Sequence, residues 1–541
     1  MKYRLRALAV VLFAIFVFQA CGPKKGTIEY WIDQLDARKL SDRITAIQKI
    51  TDLAENGSKD VLKAVKPLIE FYKNNTDERA REKAAVALGK IGDKSAVPDI
   101  CKFLEESAKI NQPKVNNRSR ALAFALGEIG DPSAIDTLLK VVDDAGDESV
   151  KRTAITALGT LKAKKAVDKL IKILMDNGEN LLTRQRALAA LGKIRDPRAV
   201  DALVFSQYVV EKGMALYEYA AKALHELGRA AVPKLIETLQ GKNKKVNDYI
   251  KLHPDWVKGV MEVKAIYSLG DLGDKRAVKP ILALMDKNDF QVPGAMALGF
   301  LQSKEALPKL LELLNLAKND KKKIKIQFGS VEAIADALVQ IYDPDKVIPE
   351  MFNIVEWRMK NYADYYDTPR YHLMLTLSKL VRKKEADHWL ELAEKDPDKD
   401  AKKWYDKEGK PRVLAAKECD QNYDCWVKKL DDPNPFVRER ATFELGRSGN
   451  VKYLDPLINK SMADRTVCSS GYKRCEACPV EQSVCVREAA VDALLKLGPK
   501  DPKKAIAALD KRLEEDKSRS TFKKVGFRYE TVRWLLANWP K

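Results

Sequence analysis

The string Ala87-Leu88-Gly89-Lys90-Ile91-Gly92-Asp93 recurs along the chain, and that recurrence constrains the fold more than any other feature. It returns as Ala125-Leu126-Gly127-Glu128-Ile129-Gly130-Asp131, at Ala157-Leu158-Gly159, at Ala190-Leu191-Gly192, as Ser268-Leu269-Gly270-Asp271-Leu272-Gly273-Asp274, and at Ala297-Leu298-Gly299. Looser copies centre on Leu224, Leu338, Leu377, Leu414, Leu445 and Leu494. The leucines at 88, 126, 158, 191 and 224 stand 38, 32, 33 and 33 residues apart. A period of that size belongs to a stacked repeat array, in which each unit buries its apolar face against its neighbours.

Each unit reads as a pair of helices. In the first, Ala84, Ala85, Leu88 and Ile91 fall three or four apart on one stripe. Gly92 suits a left-handed C-cap, Asp93 a side-chain cap for the next helix, and Pro98 the start of that helix. The second helix returns as Val97–Leu104, Ile135–Leu139, Val167–Leu174, Val232–Leu239 and Val278–Leu284. Gly89, Gly127 and Gly192 lie inside the first helix. Glycine costs about 1 kcal/mol there against alanine, so its recurrence predicts a neighbouring helix too close for a side chain. No alternating strand pattern persists, and the expected fold is all-α.

The repeated string resembles the HEAT repeat, in particular the short ALGxIGDxxAVPxL form shared with HEAT-like bilin lyases, over roughly residues 40–512. The resemblance implies an α-solenoid of HEAT-type helix pairs, a right-handed superhelix of about 11–12 repeats. Regular repeats are expected over 40–314, degenerate repeats with aromatic and basic insertions over 315–412, and cysteine-containing repeats with a cap over 413–541. The resemblance says little about function, because one scaffold hosts many tasks.

Lys2, Arg4 and Arg6 precede an apolar run, Ala7 to Phe18, of signal-peptide length. A spanning helix needs about 20 apolar residues. The run ends in Val17-Phe18-Gln19-Ala20-Cys21-Gly22, which resembles a bacterial lipoprotein cleavage box with Phe18 in place of the usual leucine. That resemblance implies a signal peptide over 1–20, lipidation of Cys21, and a short tether with a capping helix over 21–39. Gly22 is not the aspartate that retains such proteins at the inner membrane, so an outer-membrane anchor facing the periplasm is expected.

Lys and Arg number 97 against 77 Asp and Glu, a net charge of +20 that falls to about +17 without Lys2, Arg4 and Arg6. Such a field favours anionic partners. Export excludes nucleic acid and leaves an acidic protein, an anionic glycan or lipid, or a merely solvated lysine surface. Cys101, among Ile100, Phe103 and Leu104, reads as a buried free thiol. Cys419, Cys425, Cys468, Cys475, Cys478 and Cys485 read as disulfides in an exported chain, with Cys419 bridged to Cys425. The last four also have the spacing of a four-thiolate zinc site, and an oxidising periplasm favours disulfides over it.

No nucleophile elbow, phosphate loop, HExxH or EF-hand pattern is present, and the four histidines, His225, His253, His372 and His388, form no metal spacing. A non-enzymatic chain without a cofactor is expected. The connections lengthen at Lys109–Arg118, Gly241–Met261, Lys318–Phe328, Asp396–Lys410 and Thr466–Val484, always at the same point of the unit, which a regular stack would set along one edge. Trp256, Lys321, Lys322, Lys323, Lys325, Trp404 and Tyr405 are the candidate partner-binding residues of that edge. A second aromatic run, Trp357, Tyr362, Tyr365, Tyr366 and Tyr371, suits either binding or gap filling. The expected function is a lipid-anchored scaffold for an envelope protein or peptide. A binder of anionic envelope glycan or lipid is the alternative, and a bilin-lyase-like enzyme a third reading that export opposes.

Overall fold

A helix pair of this length cannot bury its apolar stripe alone, so the pairs must stack. A computed structural model describes residues 23–541 apart from positions 212, 257–258, 319–327, 363–366, 465, 467, 470–481, 484, 517–528, 530, 534 and 538–541; at 328, 468–469, 482–483 and 516 only the backbone is described. The chain divides into two compact units, one ending at Ala231 and one beginning at Val232.

In the first unit the triplet-bearing helices are Glu78–Ile91, Pro113–Ile129, Glu148–Thr160, Leu181–Ile194 and Tyr217–Leu227, each packed on the next. A further copy, Leu40–Glu55, lacks the triplet but buries Ala46, Ile47 and Ile50 in the same pattern. The intervening helices Val65–Asn74, Val97–Ser107, Ile135–Asp144, Val167–Met175 and Val200–Ser206 form a second layer against the following triplet helix. The second unit repeats the plan with Val260–Asp271, Asn288–Leu301, Phe328–Ile341, Thr368–Ser378, Lys410–Cys419, Pro435–Arg447 and Cys485–Leu497 as the triplet layer. Both units are all-α solenoids. Among the described residues, strand pairing is limited to two short ladders, Val210–Glu211 with Met214–Ala215 and Cys468–Ser469 with Gln482–Ser483. No described helix is long and apolar enough to cross a membrane.

The stacking explains the triplet. A Cβ on Gly89 would lie 2.7 Å from the Cα of Ala125; on Gly159, 2.8 Å from that of Ala190; on Gly192, 2.8 Å from that of Ala223; and on Gly446, 2.7 Å from that of Ala493. The glycine of one triplet thus faces the alanine of the next, and the two small residues are one contact seen from two repeats. The leucine between them, 0–1% exposed at 88, 126, 158 and 191, fills the core. Punctuation follows: Gly92 ends its helix at φ +75°, and Asp93, Asp131, Asp196 and Asp274 each accept a backbone N–H two residues on.

Three expectations are corrected. Leu414 is 47% exposed, and Ala415 and Ala416 occupy the buried positions of its repeat. Cys101 is a free thiol but only partly buried. Three of the lengthened connections carry helix: Lys109–Arg118 runs into the helix Pro113–Ile129, Gly241–Met261 contains Lys244–Lys251, and Asp396–Lys410 contains Lys399–Trp404 and a wide turn, Tyr405–Gly409; most of Lys318–Phe328 and Thr466–Val484 lies outside the described residues.

Candidate functional site

Stacking consumes one face of every triplet helix. The residue after the triplet, and the one four positions before it, share a different face, one turn apart. In the second unit these positions converge. Tyr267 and Asp271, Met296 and Phe300, and Asp336 and Gln340 are three such pairs on successive helices, and together they line a cavity of about 630 Å³. Val292, Glu332, Ala333 and Thr531 add to the wall, as do the triplet residues Gly270, Ala297 and Ala337. The dimensions and the mix of apolar wall with few polar groups are those of a ligand pocket.

The cavity is acidic. Among the described residues its lining holds Asp271, Glu332 and Asp336 and neither lysine nor arginine. Loss of bulk water pushes the Asp271 carboxyl up to about 7. The same cause raises Asp336, against the opposing pull of Lys379 and His372. Neither forms an ion pair among the described residues. Glu332 lies 3.8 Å from His372. Thr531 is 1% exposed and its hydroxyl has no hydrogen-bond partner.

Further along the same face the charges are paired. Burial alone would raise the Glu439 carboxyl, but Arg412 at 2.5 Å and Lys379 at 3.6 Å hold it low. Arg440 donates to the carbonyls of Ser378 and Val381 at 2.8 and 2.9 Å, and Arg447 to those of Lys379 and Val339. These carbonyls belong to helix C-terminal turns, where acceptors lack intrahelical partners. Lys496 sits 5.6 Å over the Tyr342 ring, and burial, then Arg447, lowers its pKa to about 8. This network is structural: its charges satisfy one another.

The residues singled out in the sequence fall elsewhere. Trp256 is half-buried, stacked on His253 at 4.4 Å with Lys264 5.9 Å from its ring. Trp404 is half-buried under Lys407 at 4.5 Å. Tyr405 is not a surface anchor: it is 1% exposed, donates to Asp396 at 3.0 Å and packs between Tyr371 and Trp389. Among the described residues no ring contact joins Trp256 to Trp404 or Tyr405. Lys321, Lys322, Lys323 and Lys325 lie outside the described residues, as do Cys21, Cys475 and Cys478. Tyr362 and Tyr371 of the second aromatic run are buried, and Tyr365 and Tyr366 lie outside the described residues. Cys419 and Cys425 are joined by a disulfide with Cα atoms 5.4 Å apart, across the turn between Lys410–Cys419 and Tyr423–Lys429. Cys485 is also disulfide-bonded, and of Cys468 only the backbone is described.

Residues 110–179 and 144–206 match the HEAT repeats model, and 80–106 and 263–287 match the PBS lyase HEAT-like repeat. HEAT-type repeats are therefore present in both units. No curated protein matches the sequence. The fold is similar to the crystal structure of a Kap121p mutant, at 12% identity and a TM-score of 0.45 over 94% of this chain; the chain spans 65% of that structure's length. A structure of Kap95p with RanGDP matches at 11% identity and 0.42 over 94% of this chain and 88% of the other. Human deoxyhypusine hydroxylase with glycerol matches at 17% and 0.22 over 58% and 95%. Likenesses this distant say nothing about the ligands of this chain.

Proposed function

We propose that this chain is an exported, lipid-anchored HEAT-repeat scaffold of the bacterial envelope. On this reading Cys21 carries the anchor at the outer membrane, and the solenoid faces the periplasm and holds an envelope protein or peptide. The observation that carries the binding role is the division of faces. Triplets and second-layer helices carry the stacking, while the pairs from Tyr267–Asp271 to Asp336–Gln340, with Gly270, Ala297 and Ala337 beside them, line an open cavity. The signal-peptide pattern Lys2 to Cys21 supports export and anchoring.

Processing tests the anchor. Wild-type protein should partition into the detergent phase, and Cys21→Ser should accumulate as a larger, uncleaved species. Wild-type protein recovered soluble with Met1 still in place would overturn it. The net charge of +20 favours a second reading, capture of an anionic glycan or lipid. The acidic cavity would repel such a ligand, so the lysines at 321–325 would have to hold it. Polyanion capture should collapse with rising salt, and an apolar–aromatic protein interface should not.

A further inference from the structure

We propose that the outward face of the triplet layer in the first unit binds an extended acidic peptide, its carboxylates on Arg120, Arg152 and Arg186 and an aliphatic side chain against Leu182 and Met214. The proposal rests on the reading of this face as the binding face and names the partner's chemistry. Phe124, Thr156 and Ala189 hold here the positions that Tyr267, Met296 and Asp336 hold in the second unit. One turn before them, on three successive helices, stand Arg120, Arg152 and Arg186. Arg120 donates to the neutral Asn117 side chain at 2.6 Å. Arg152 lies 3.8 Å from Glu148 and in the field of Asp147. Arg186, and Lys193 one turn on from Ala189, are exposed and form no ion pair among the described residues. Glu128, the carboxylate on this face beside them, is already held by Lys90 at 2.9 Å. The row therefore carries excess positive charge, which favours an anionic partner.

Spacing selects the form of that partner. Packed helices lie about 8–10 Å apart, so the guanidiniums repeat at about that interval. A chain in the polyproline conformation advances about 9 Å in three residues and brings every third side chain to the next guanidinium. A β-strand repeats its face at about 7 Å and falls out of step. Between the arginines, Thr156 and Thr160 donate their hydroxyls to carbonyls of their own helix, which leaves their oxygens as acceptors for peptide N–H groups.

The row ends at an apolar pocket. Leu182, four residues before Arg186, is 55% exposed, and with Leu181 and Met214, itself 53% exposed, it lines a cavity of about 560 Å³. The cavity's carboxylates have partners: Glu179 pairs with Lys151 and Glu211 with Arg184, both at 2.5 Å, and Glu148 accepts from Thr183 at 2.9 Å. Spaced cations beside an apolar pocket suit a peptide, which carries both complements, better than a uniformly charged polymer.

Fluorescence anisotropy tests this with a labelled, blocked peptide of four Glu-Pro-Pro units and a leucine at each end, titrated with the full-length protein in detergent. The peptide should saturate one site. Arg120→Gln/Arg152→Gln/Arg186→Gln should weaken it by about tenfold or more, and Leu182→Ser should weaken it without removing a charge, both at an unchanged melting temperature. Lys66→Gln/Lys102→Gln/Lys165→Gln removes the same charge from the second-layer side and should leave binding unchanged. A peptide of the same composition with its glutamates clustered should bind more weakly. No saturable binding, equal loss in the second-layer variant, equal affinity for the clustered peptide, or tighter binding of heparin through the same arginines would overturn the proposal. Cys21 processing is read separately, so either claim can fail alone.

Discussion

The guanidinium of Arg447 donates to the carbonyl of Val339, 108 residues earlier in the chain, at 3.4 Å. It also donates to Lys379 at 3.1 Å and lies 4.0 Å from the Tyr342 ring centre. One side chain thereby closes the C-terminal turns of two other triplet helices, supplying donors and positive charge where both are wanted. Arg447→Ala should leave those carbonyls without their donor, while Glu444 keeps Arg440 at 2.8 Å, and should destabilise the protein by about 3 kcal/mol, read by denaturant unfolding. Truncating the exposed Lys165, which pairs with Asp136 on the surface, should leave the midpoint unchanged.

The glycine–alanine contact makes opposite predictions for two helical glycines. Gly159→Ala gains helix propensity, yet its Cβ would sit 2.8 Å from the Ala190 backbone. Overpacking against a rigid helix should dominate and cost about 1–3 kcal/mol. At Gly329 the nearest atom is a Val292 methyl at 3.8 Å, so Gly329→Ala should stabilise by about 0.5 kcal/mol. Thermal unfolding of the two variants side by side checks both signs.

Asp271 should make stability fall with pH. Its folded pKa, about 7, is raised above the ordinary carboxyl value by burial. Between about pH 4 and 7 the native state holds a proton that the unfolded chain has lost, so stability declines across that window as pH rises. Asp271→Asn should therefore raise the unfolding free energy at about pH 8, by at most roughly 4 kcal/mol, and by much less at about pH 4.5, read by denaturant unfolding at the two pH values.

The Cys419–Cys425 bridge encloses a short loop. A loop of that size removes little chain entropy, so Cys425→Ser should cost only about 2 kcal/mol, less than a bridge over a long segment. Reductant titration followed by unfolding checks it.

The fold was legible because the repeat marks itself: Gly89, Gly92 and Asp93 are each required by a close approach, a left-handed cap or a side-chain cap, and the requirement recurs. The irregular repeats were harder. Leu414 looked like a marker, but the pattern of buried neighbours runs through Arg412, Val413, Ala415 and Ala416, and that pattern alone fixes the helix face. Tyr405 looked like an exposed anchor because a wide turn and a buried carboxylate are invisible in sequence. The cavity was missed although its signal was present. The residue after each triplet, Lys90, Glu128, Asp271, Phe300, Gln340, Lys379, Arg447 and Lys496, is the one that faces away from the stack. Which of those positions are neutralised by a neighbour, as Lys90 is by Glu128 at 2.9 Å, and which are left open, as Asp271 is, depends on pairing between repeats.

Site-specific photocrosslinking in intact cells tests the central claim, that the face left free by stacking is where a partner is held. Met296, 53% exposed on the cavity wall, and Lys279, with an 82% exposed side chain on the second layer, receive the same photoreactive residue in otherwise wild-type protein. The account predicts a discrete adduct from position 296 in the envelope fraction and none from position 279. Equal adducts from both positions, or none from 296 while 279 reacts, would contradict it.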